Sequence, residues 1–182
     1  MATFDDFIAS LRLDFGEQGA GKPFEIFCKW FLENDPEWSR SIDKVWLWDD
    51  YPNKWQRQDL GTDLVFRDNE GLIWAVQAKC YGEHRTTTKG DMNSFLADTG
   101  RKEVDKRLWL QATNKMEAKA DKTLKGQDKP VTVFMLNDFR EPAGRPGPDR
   151  AGRREVPRHG HGRHECRWCF LLRRRDEPSL LD

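Results

Sequence analysis

The sequence contains two segments that belong together, QDLGTDLVF at residues 58–66 and AVQAKC at residues 75–80. Each has a run of apolar, strand-forming residues that polar side chains interrupt. Between them, residues 67–71 (RDNEG) supply the Asp, Asn and Gly that are typical of a tight turn. The pattern predicts a β-hairpin that carries Asp63 at the start of its first strand and Gln77 and Lys79 in its second.

The polar side chains of this hairpin suit the hydrolysis of phosphodiester bonds. Residues two apart on a strand point to the same face, so Gln77 and Lys79 project together, and hairpin pairing brings Asp63 beside them. Mg²⁺ prefers oxygen ligands, which the Asp63 carboxylate, the Gln77 side-chain oxygen and the Ala78 backbone carbonyl offer. Lys79 is then placed to orient or activate the attacking water. We expect a site that uses Mg²⁺, with Mn²⁺ able to replace it.

The elements around the hairpin predict an α/β fold. Apolar residues at helical spacing predict a helix over residues 4–13, then a glycine-rich loop, and a second helix that begins at Pro23. The remaining pattern predicts, in chain order, a strand at 45–48, the hairpin, a helix at 92–100, a strand at 107–112, a helix at 114–124 and a strand at 131–136. This order favours a mixed central sheet flanked by helices.

Each hairpin residue also has a purely structural interpretation. Asp63 and Asp59 suit turns that begin or end a strand. Lys79 suits an edge strand with its ammonium group in water, and Gln77 suits a hydrogen-bonded polar neighbour of that lysine. The proximity of all these residues to one another favours the functional interpretation, except for Asp59, which is better explained as a turn residue.

Basic and aromatic residues outside the hairpin leave two interpretations open. Arg85 and Lys89 follow the second strand, where DNA phosphates would pass, but they also suit a solvated loop. Of the eight tryptophans, most lie in apolar runs and belong to a core. Only Trp38 and Trp55 remain as candidates for stacking on a base.

Composition narrows the function only a little. The 31 acidic and 31 basic residues cancel, so no global basic field points to a nucleic-acid partner. No apolar run approaches the roughly 20 residues that a bilayer requires, and no signal segment is visible, so no membrane association is expected. The few cysteines predict a reducing, cytoplasmic location.

The chain changes character after Phe139. Lysine is absent beyond Lys129, and residues 140–182 are rich in Arg, Gly and Pro, with almost no hydrophobic periodicity. Such a segment cannot form a core of its own, so we expect a disordered tail, which we interpret as the product of a shifted reading frame. Two alternatives remain: a basic arm on DNA phosphates, or a zinc-binding arm built from the tail's histidines and cysteines, namely His159, His161, His164, Cys166 and Cys169.

These residues resemble the Mrr-like restriction endonucleases of the PD-(D/E)XK superfamily. The resemblance rests on the DLGTD segment at residues 59–63, on QAK at residues 77–79 and on the helix that contains Glu25. It implies a restriction-endonuclease-like nuclease domain over residues 20–139, preceded by a helix and loop at residues 1–19. It further implies that Asp63, Gln77 and Lys79 are the catalytic set and that Glu25 assists metal binding. For Glu25 a structural interpretation stays open, because a carboxylate near the start of a helix is also favoured by the helix dipole.

A narrower resemblance concerns the protein context. The Trp-rich run at residues 42–55 and the Tyr81-Gly82 pair resemble the amino-terminal nuclease domains of large restriction proteins that continue into a helicase motor and a methyltransferase. This implies double-stranded DNA as a partner, those downstream domains as missing partners, and a second copy on DNA for cutting both strands. The alternative is a DNA-binding or targeting module without cleavage activity, because Gln77 contributes no charge to the site.

Overall fold

The computed structural model describes residues 3–55 and 61–140 of the 182 residues. Asp59 and the tail from residue 141 lie outside the described residues. The predictions of a shifted reading frame and of a zinc-binding arm therefore concern residues that the structure does not describe. The elements in chain order are α1 (Phe4–Gly19), α2 (Gly21–Asn34), β1 (Ile42–Leu47), a 3₁₀ turn (Trp48–Asp50), β2 (Leu64–Asp68), β3 (Ile73–Lys79), α3 (Lys89–Asp98), β4 (Lys106–Gln111), α4 (Ala118–Lys125), β5 (Val131–Phe134) and α5 (Leu136–Arg140). None of the helices described is both long and apolar enough to cross a membrane.

The strands form one mixed sheet in the order β1-β2-β3-β4-β5. β1, β2 and β3 pair in antiparallel fashion, whereas β3 with β4 and β4 with β5 are parallel. Helices α3 and α4 make the two crossover connections that parallel strands require. The expected α/β fold with a mixed central sheet is confirmed. Because β3 is the central strand, the interpretation of Lys79 as an edge-strand residue is wrong.

Side chains alternate across β3 and separate two layers. Val76 and Ala78 pack in a core with α1, α2 and α5. Ala75 points the other way and packs in a second core with α3 and α4. Since side chains two apart share a face, Gln77 and Lys79 lie on the side of Ala75. The candidate site therefore faces the layer of α3.

The first helix belongs to the larger core. The ring of Phe4 stacks on that of Phe139 with 4.6 Å between centroids, and the guanidinium group of Arg140 lies 2.7 Å from the Asp5 carboxylate. The expected loop after residue 13 is wrong, because α1 continues to Gly19 and only kinks at Gly16, which has a φ of 71°. Residues 4–19 therefore share their packing with the residues that follow.

Several boundaries differ from the sequence prediction, and in two places a side chain that caps a helix is the reason. α3 begins at Lys89 because Thr88 and Asp91 form a capping box there. The last strand ends at Phe134, since the Asp138 carboxylate accepts the Met135 N–H at 2.7 Å at the entry to α5. α4 begins at Ala118, four residues later than the pattern indicates.

Candidate active site

The backbone of Asp63 is fixed between two parts of the sheet. Its N–H donates to the Val76 carbonyl at 2.9 Å, and its carbonyl accepts from the N–H of Trp48, also at 2.9 Å. Asp63 directly precedes β2, and its side chain is largely buried, with 8% of the residue exposed. The carboxylate therefore lies just before the first residue of β2, beside the part of β3 that extends beyond β2.

The carboxylate of Asp63 is held by β3. The side-chain amide of Gln77 donates to Asp63 Oδ2, and the backbone N–H of Ala78 donates to the same oxygen at 2.7 Å. Gln77 is itself buried, with 1% exposed. Hydrogen bonds to a charged acceptor are stronger than neutral ones, and a buried carboxylate requires them. The structure thus brings Asp63, Gln77 and Ala78 together, as the hairpin pattern predicts.

The Gln77 amide presents its nitrogen to Asp63, so the amide oxygen points elsewhere. A Cβ added at Gly61 would lie 3.2 Å from Gln77 Oε1, which places that oxygen against the glycine. The expected role of this oxygen as a metal ligand therefore requires the amide to turn about its last side-chain bond. The Gln77 oxygen can lie this close to Gly61 because the glycine has no side chain.

Together with Gln77, the adjacent residues Ala78 and Lys79 form the row of candidate site residues on β3. The Val76 carbonyl and the Ala78 N–H both point toward the Asp63 side of the strand, and alternation of peptide groups directs the Ala78 carbonyl to that same side. Lys79 is half-buried on the face of Gln77. Within residues 3–55 and 61–140, its ammonium group has no hydrogen bond or ion pair. Lys79 is therefore available to a ligand bound beside Asp63.

Glu25 approaches from α2, on the other layer. Its carboxylate lies 2.9 Å from Lys22 Nζ. The pKa of the Cys28 thiol is raised well above its usual value, first by burial and then by the negative charges of Asp63, of ionised Cys80 and of Glu25. Both carboxylates therefore act on the same thiol, which places Glu25 in the neighbourhood of the site.

The oxygen donors at Asp63 fit Mg²⁺ by their chemistry. Among the described residues, no group of three or more Asp, Glu, His or Cys side chains converges on one point. The donor set is therefore one carboxylate with the Ala78 carbonyl and, once turned, the Gln77 amide oxygen, while Glu25 is a second carboxylate nearby. Mg²⁺ is often bound through only one or two carboxylates and keeps several waters, so this sparse set is suitable.

The segment after β3 places one of the expected DNA-binding residues close to this row. The Arg85 guanidinium stacks over the Tyr81 ring at 4.1 Å and lies 3.0 Å from the Asp91 carboxylate. Burial, then the charge and hydrogen bond of Asp91, raise the pKa of Tyr81 to about 12, and the charge of Asp63 adds to the rise. Lys89 is exposed in the first turn of α3. Arg85 is thus an ordered residue near the site, held by two partners.

Other side chains near the site have structural roles. Thr88 caps α3, and buried Thr87 donates to the Gln111 side chain at 2.8 Å, so neither hydroxyl is presented to DNA. Trp38 is fully buried, which makes the interpretation as a base-stacking residue wrong. Trp55 is half-buried, and its indole N–H donates to Asp98 at 3.3 Å.

Sequence reasoning does not identify Asp98 as part of this region. Its buried carboxylate accepts the hydroxyl of Thr62, the residue before Asp63, at 2.9 Å. The two residues are 36 positions apart in the chain, and no local pattern connects a helix end to a distant strand. Only the three-dimensional packing of α3 on the sheet brings them together.

Residues 33–143 match the family model for Mrr-type catalytic domains that is described as a restriction endonuclease. This chain belongs to that restriction endonuclease family. The matched range contains Asp63, Gln77 and Lys79, and it begins after Glu25. No curated protein matches the chain.

Solved structures of restriction enzymes share the fold of this restriction endonuclease domain. The ATP-dependent Type ISP restriction-modification enzyme LlaBIII bound to DNA matches with a TM-score of 0.65 and 24% identity, over 78% of this chain and 8% of that one. The MspJI restriction endonuclease in complex with a 27-mer oligonucleotide matches with a TM-score of 0.51 and 16% identity, over 72% of this chain and 29% of that one. The chain therefore has a restriction-endonuclease-like fold and spans only a small part of these proteins.

Proposed function

We propose that residues 20–139 form a metal-dependent DNA endonuclease domain that hydrolyses phosphodiester bonds. The observation that carries the proposal is the buried contact between Asp63 and Gln77, with Lys79 on the same face of β3. This arrangement occurs in a chain of the restriction endonuclease family. A restriction enzyme needs a hydrolytic site, and this row contains the groups that such a site requires.

Each residue has a distinct role in the proposed site. Asp63 and the Ala78 carbonyl hold Mg²⁺, or Mn²⁺ in its place, together with the turned amide of Gln77; Glu25 contributes from α2. When bound, the cation would stabilise the negative charge that develops on the phosphate. Lys79, whose ammonium group has no partner among the described residues, orients the attacking water.

Double-stranded DNA is the proposed substrate. Arg85 and Lys89 contact its phosphates at the end of β3, and restriction of foreign DNA in the cytoplasm is the proposed biological role. The description of LlaBIII as an ATP-dependent enzyme bound to DNA supports a longer protein in which a helicase motor and a methyltransferase follow this domain. A second copy meeting the first on DNA would then cut the opposite strand.

A catalytically silent DNA-binding module is the second candidate. It is favoured by the neutral side chain of Gln77, whose amide nitrogen faces Asp63 and whose oxygen faces Gly61. If the amide keeps this orientation in the presence of a divalent cation, Gln77 supplies no oxygen beside Asp63, and metal binding is weak.

Cleavage and binding distinguish the two candidates. Supercoiled plasmid is incubated with the protein and Mg²⁺, Mn²⁺ or EDTA, and nicking is followed for the wild type and for Asp63→Asn. Nicking that requires the metal and is lost in Asp63→Asn supports the endonuclease. Binding of labelled duplex DNA by both proteins, without nicking by either, supports the silent module.

A further inference from the structure

We infer that Asp98 is a positioning residue for Asp63, acting through the hydroxyl of Thr62. This inference rests on the proposed function of Asp63 as the metal-binding carboxylate. Thr62 Oγ1 donates to Asp98 Oδ2 at 2.9 Å, and Thr62 directly precedes Asp63 in the chain. Thr62 and the side chain of Asp98 are completely buried. A buried hydrogen bond therefore connects the end of α3 to the residue that directly precedes the candidate catalytic residue.

The location of Asp98 is costly for a carboxylate. It is the last residue of α3, where the helix dipole disfavours negative charge, and its side chain has no access to water. The donors around it offset that cost. Besides Thr62, the indole N–H of Trp55 reaches both carboxylate oxygens at 3.3 and 3.4 Å, and Arg101 Nε lies at 3.5 Å. One buried carboxylate therefore accepts hydrogen bonds from both Trp55 and Thr62.

The residue before Thr62 is confined by the same helix. Gly61 has a φ of 126°, and a Cβ on it would lie 3.0 Å from the backbone nitrogen of Phe95 and 3.1 Å from the hydroxyl oxygen of Ser94. The same Cβ would lie 3.2 Å from Oε1 of Gln77. The backbone at Gly61 therefore lies tightly between α3 and β3. The next residue, Thr62, is the one that bonds Asp98.

The position of a metal-binding carboxylate must be accurate to about 0.5 Å for catalysis. The hydrogen bonds from Gln77 and Ala78 restrain the carboxylate itself, but one of them changes when the Gln77 amide turns toward a metal. The bond from Thr62 to Asp98 does not involve the metal-binding atoms, so it can hold Asp63 in place while the Gln77 amide turns. This is the role that we assign to Asp98.

The experiment compares three threonine variants of the full chain. Thr62→Val removes the hydroxyl at nearly constant shape, and Thr62→Ser restores it. Thr99→Val is the matched control, because Thr99 is also fully buried at the end of α3, but its hydroxyl donates within the helix, to the Phe95 carbonyl at 2.6 Å. Amide hydrogen exchange of Asp63 and Trp48 is measured by NMR, together with calorimetric binding of Mn²⁺ and the rate of plasmid nicking.

We expect Thr62→Val to speed exchange of the Asp63 and Trp48 amides by roughly tenfold, as expected for the loss of one buried hydrogen bond, and to weaken Mn²⁺ binding and nicking. Thr62→Ser should match the wild type, and Thr99→Val should leave these two amides and Mn²⁺ binding unchanged. Unchanged exchange or unchanged Mn²⁺ affinity in Thr62→Val would overturn the inference, as would equal losses in Thr99→Val. If the wild type neither binds Mn²⁺ nor nicks DNA, the proposed function fails, while the exchange comparison still decides whether Asp98 holds Asp63.

Discussion

The side-chain amide of Gln77 donates to the carboxylate of Asp63 across the β2–β3 hairpin. A neutral donor lets the Asp63 carboxylate remain buried without a second negative charge beside it. A carboxylate in place of Gln77 would instead put two negative charges in contact until a cation neutralised them. The pair therefore explains how the Asp63 carboxylate can stay buried without a cation beside it.

Replacing Gln77 with Glu should make the stability of the domain depend on Mg²⁺. Without metal, repulsion from Asp63 lowers the melting temperature, and Mg²⁺ restores it because the added carboxylate is a better ligand than an amide. The measurement is calorimetric melting with Mg²⁺ and with EDTA. A shift of about 1 kcal/mol corresponds to several degrees for a domain of this size.

The matched control is Gln111→Glu, which also buries a carboxylate in the sheet. Gln111 is fully buried and bonded to Thr87 and to the indole of Trp109. It should lose stability without recovering it in Mg²⁺. Equal Mg²⁺ responses in the two variants, or none in Gln77→Glu, would argue against a metal at Asp63.

Gly61→Ala should destabilise the domain and reduce nicking. Its φ of 126° strains any side chain, and the new methyl group would press on the backbone of Phe95 and on the Gln77 amide. Gly71→Ala is the control for strain alone, since Gly71 has a φ of 85° and open space around it. Chemical denaturation should show that Gly61→Ala loses at least about 1 kcal/mol more than Gly71→Ala. Equal losses would mean that residues 61–63 are not confined as the structure indicates.

The hairpin and its row of polar residues are predictable from the sequence because their signals are local. Alternation along β3 and the turn at residues 67–71 suffice to put Gln77 and Lys79 on one face with Asp63 beside them. The direction of the Gln77 amide is not predictable, because it depends on space that Gly61 leaves. The contribution of Asp98 is not predictable from the sequence either, because only the packing of α3 brings its carboxylate to the site.

Arg85→Ala should weaken DNA binding and lower its salt dependence. If Arg85 contacts one phosphate, its loss reduces the slope of log affinity against log salt by about one. Fluorescence anisotropy with duplex DNA over a range of salt concentrations measures that slope.

Arg67→Ala is the control for this change. Like Arg85, Arg67 forms an ion pair with an aspartate, Asp43, and lies over an aromatic ring, which is that of Trp46 at 5.9 Å. However, Arg67 is at the opposite end of β2 from Asp63. Its removal should leave the slope unchanged. Identical slopes for Arg85→Ala and the wild type would reject Arg85 as a phosphate contact.

The stability of the domain should fall in alkaline solution. Burial is the main cause that raises the pKa of Cys80 from 9.0 to about 11 and that of Tyr81 from 10.0 to about 12. Unfolding returns both groups to their ordinary values, so the unfolded chain releases protons at lower pH than the folded chain. Stability is therefore fully present below pH 9 and decreases as the pH rises through the folded values. Guanidinium unfolding between pH 8 and pH 11, in steps of about one unit, measures the decrease.

Cys80→Ser removes one of the two groups and should make that pH dependence shallower. A serine hydroxyl does not ionise in this range, so the remaining pH dependence comes from other buried groups with a raised pKa, such as Tyr81, Cys28 and Tyr51. An unchanged slope in Cys80→Ser would show that the Cys80 thiol does not pack against the larger core.

Nicking of supercoiled plasmid by Lys79→Ala tests the catalytic role of the row on β3 most directly. Lys79 has no side-chain partner among the described residues, so its removal should leave folding intact while nicking slows by roughly a hundredfold or more. Lys106→Ala is the control, because Lys106 is also half-buried in the sheet but lies beside Asp68 and Trp74, away from Asp63. We predict metal-dependent nicking by the wild type and by Lys106→Ala, and almost none by Lys79→Ala. Nicking at the wild-type rate by Lys79→Ala would contradict the assignment of this site.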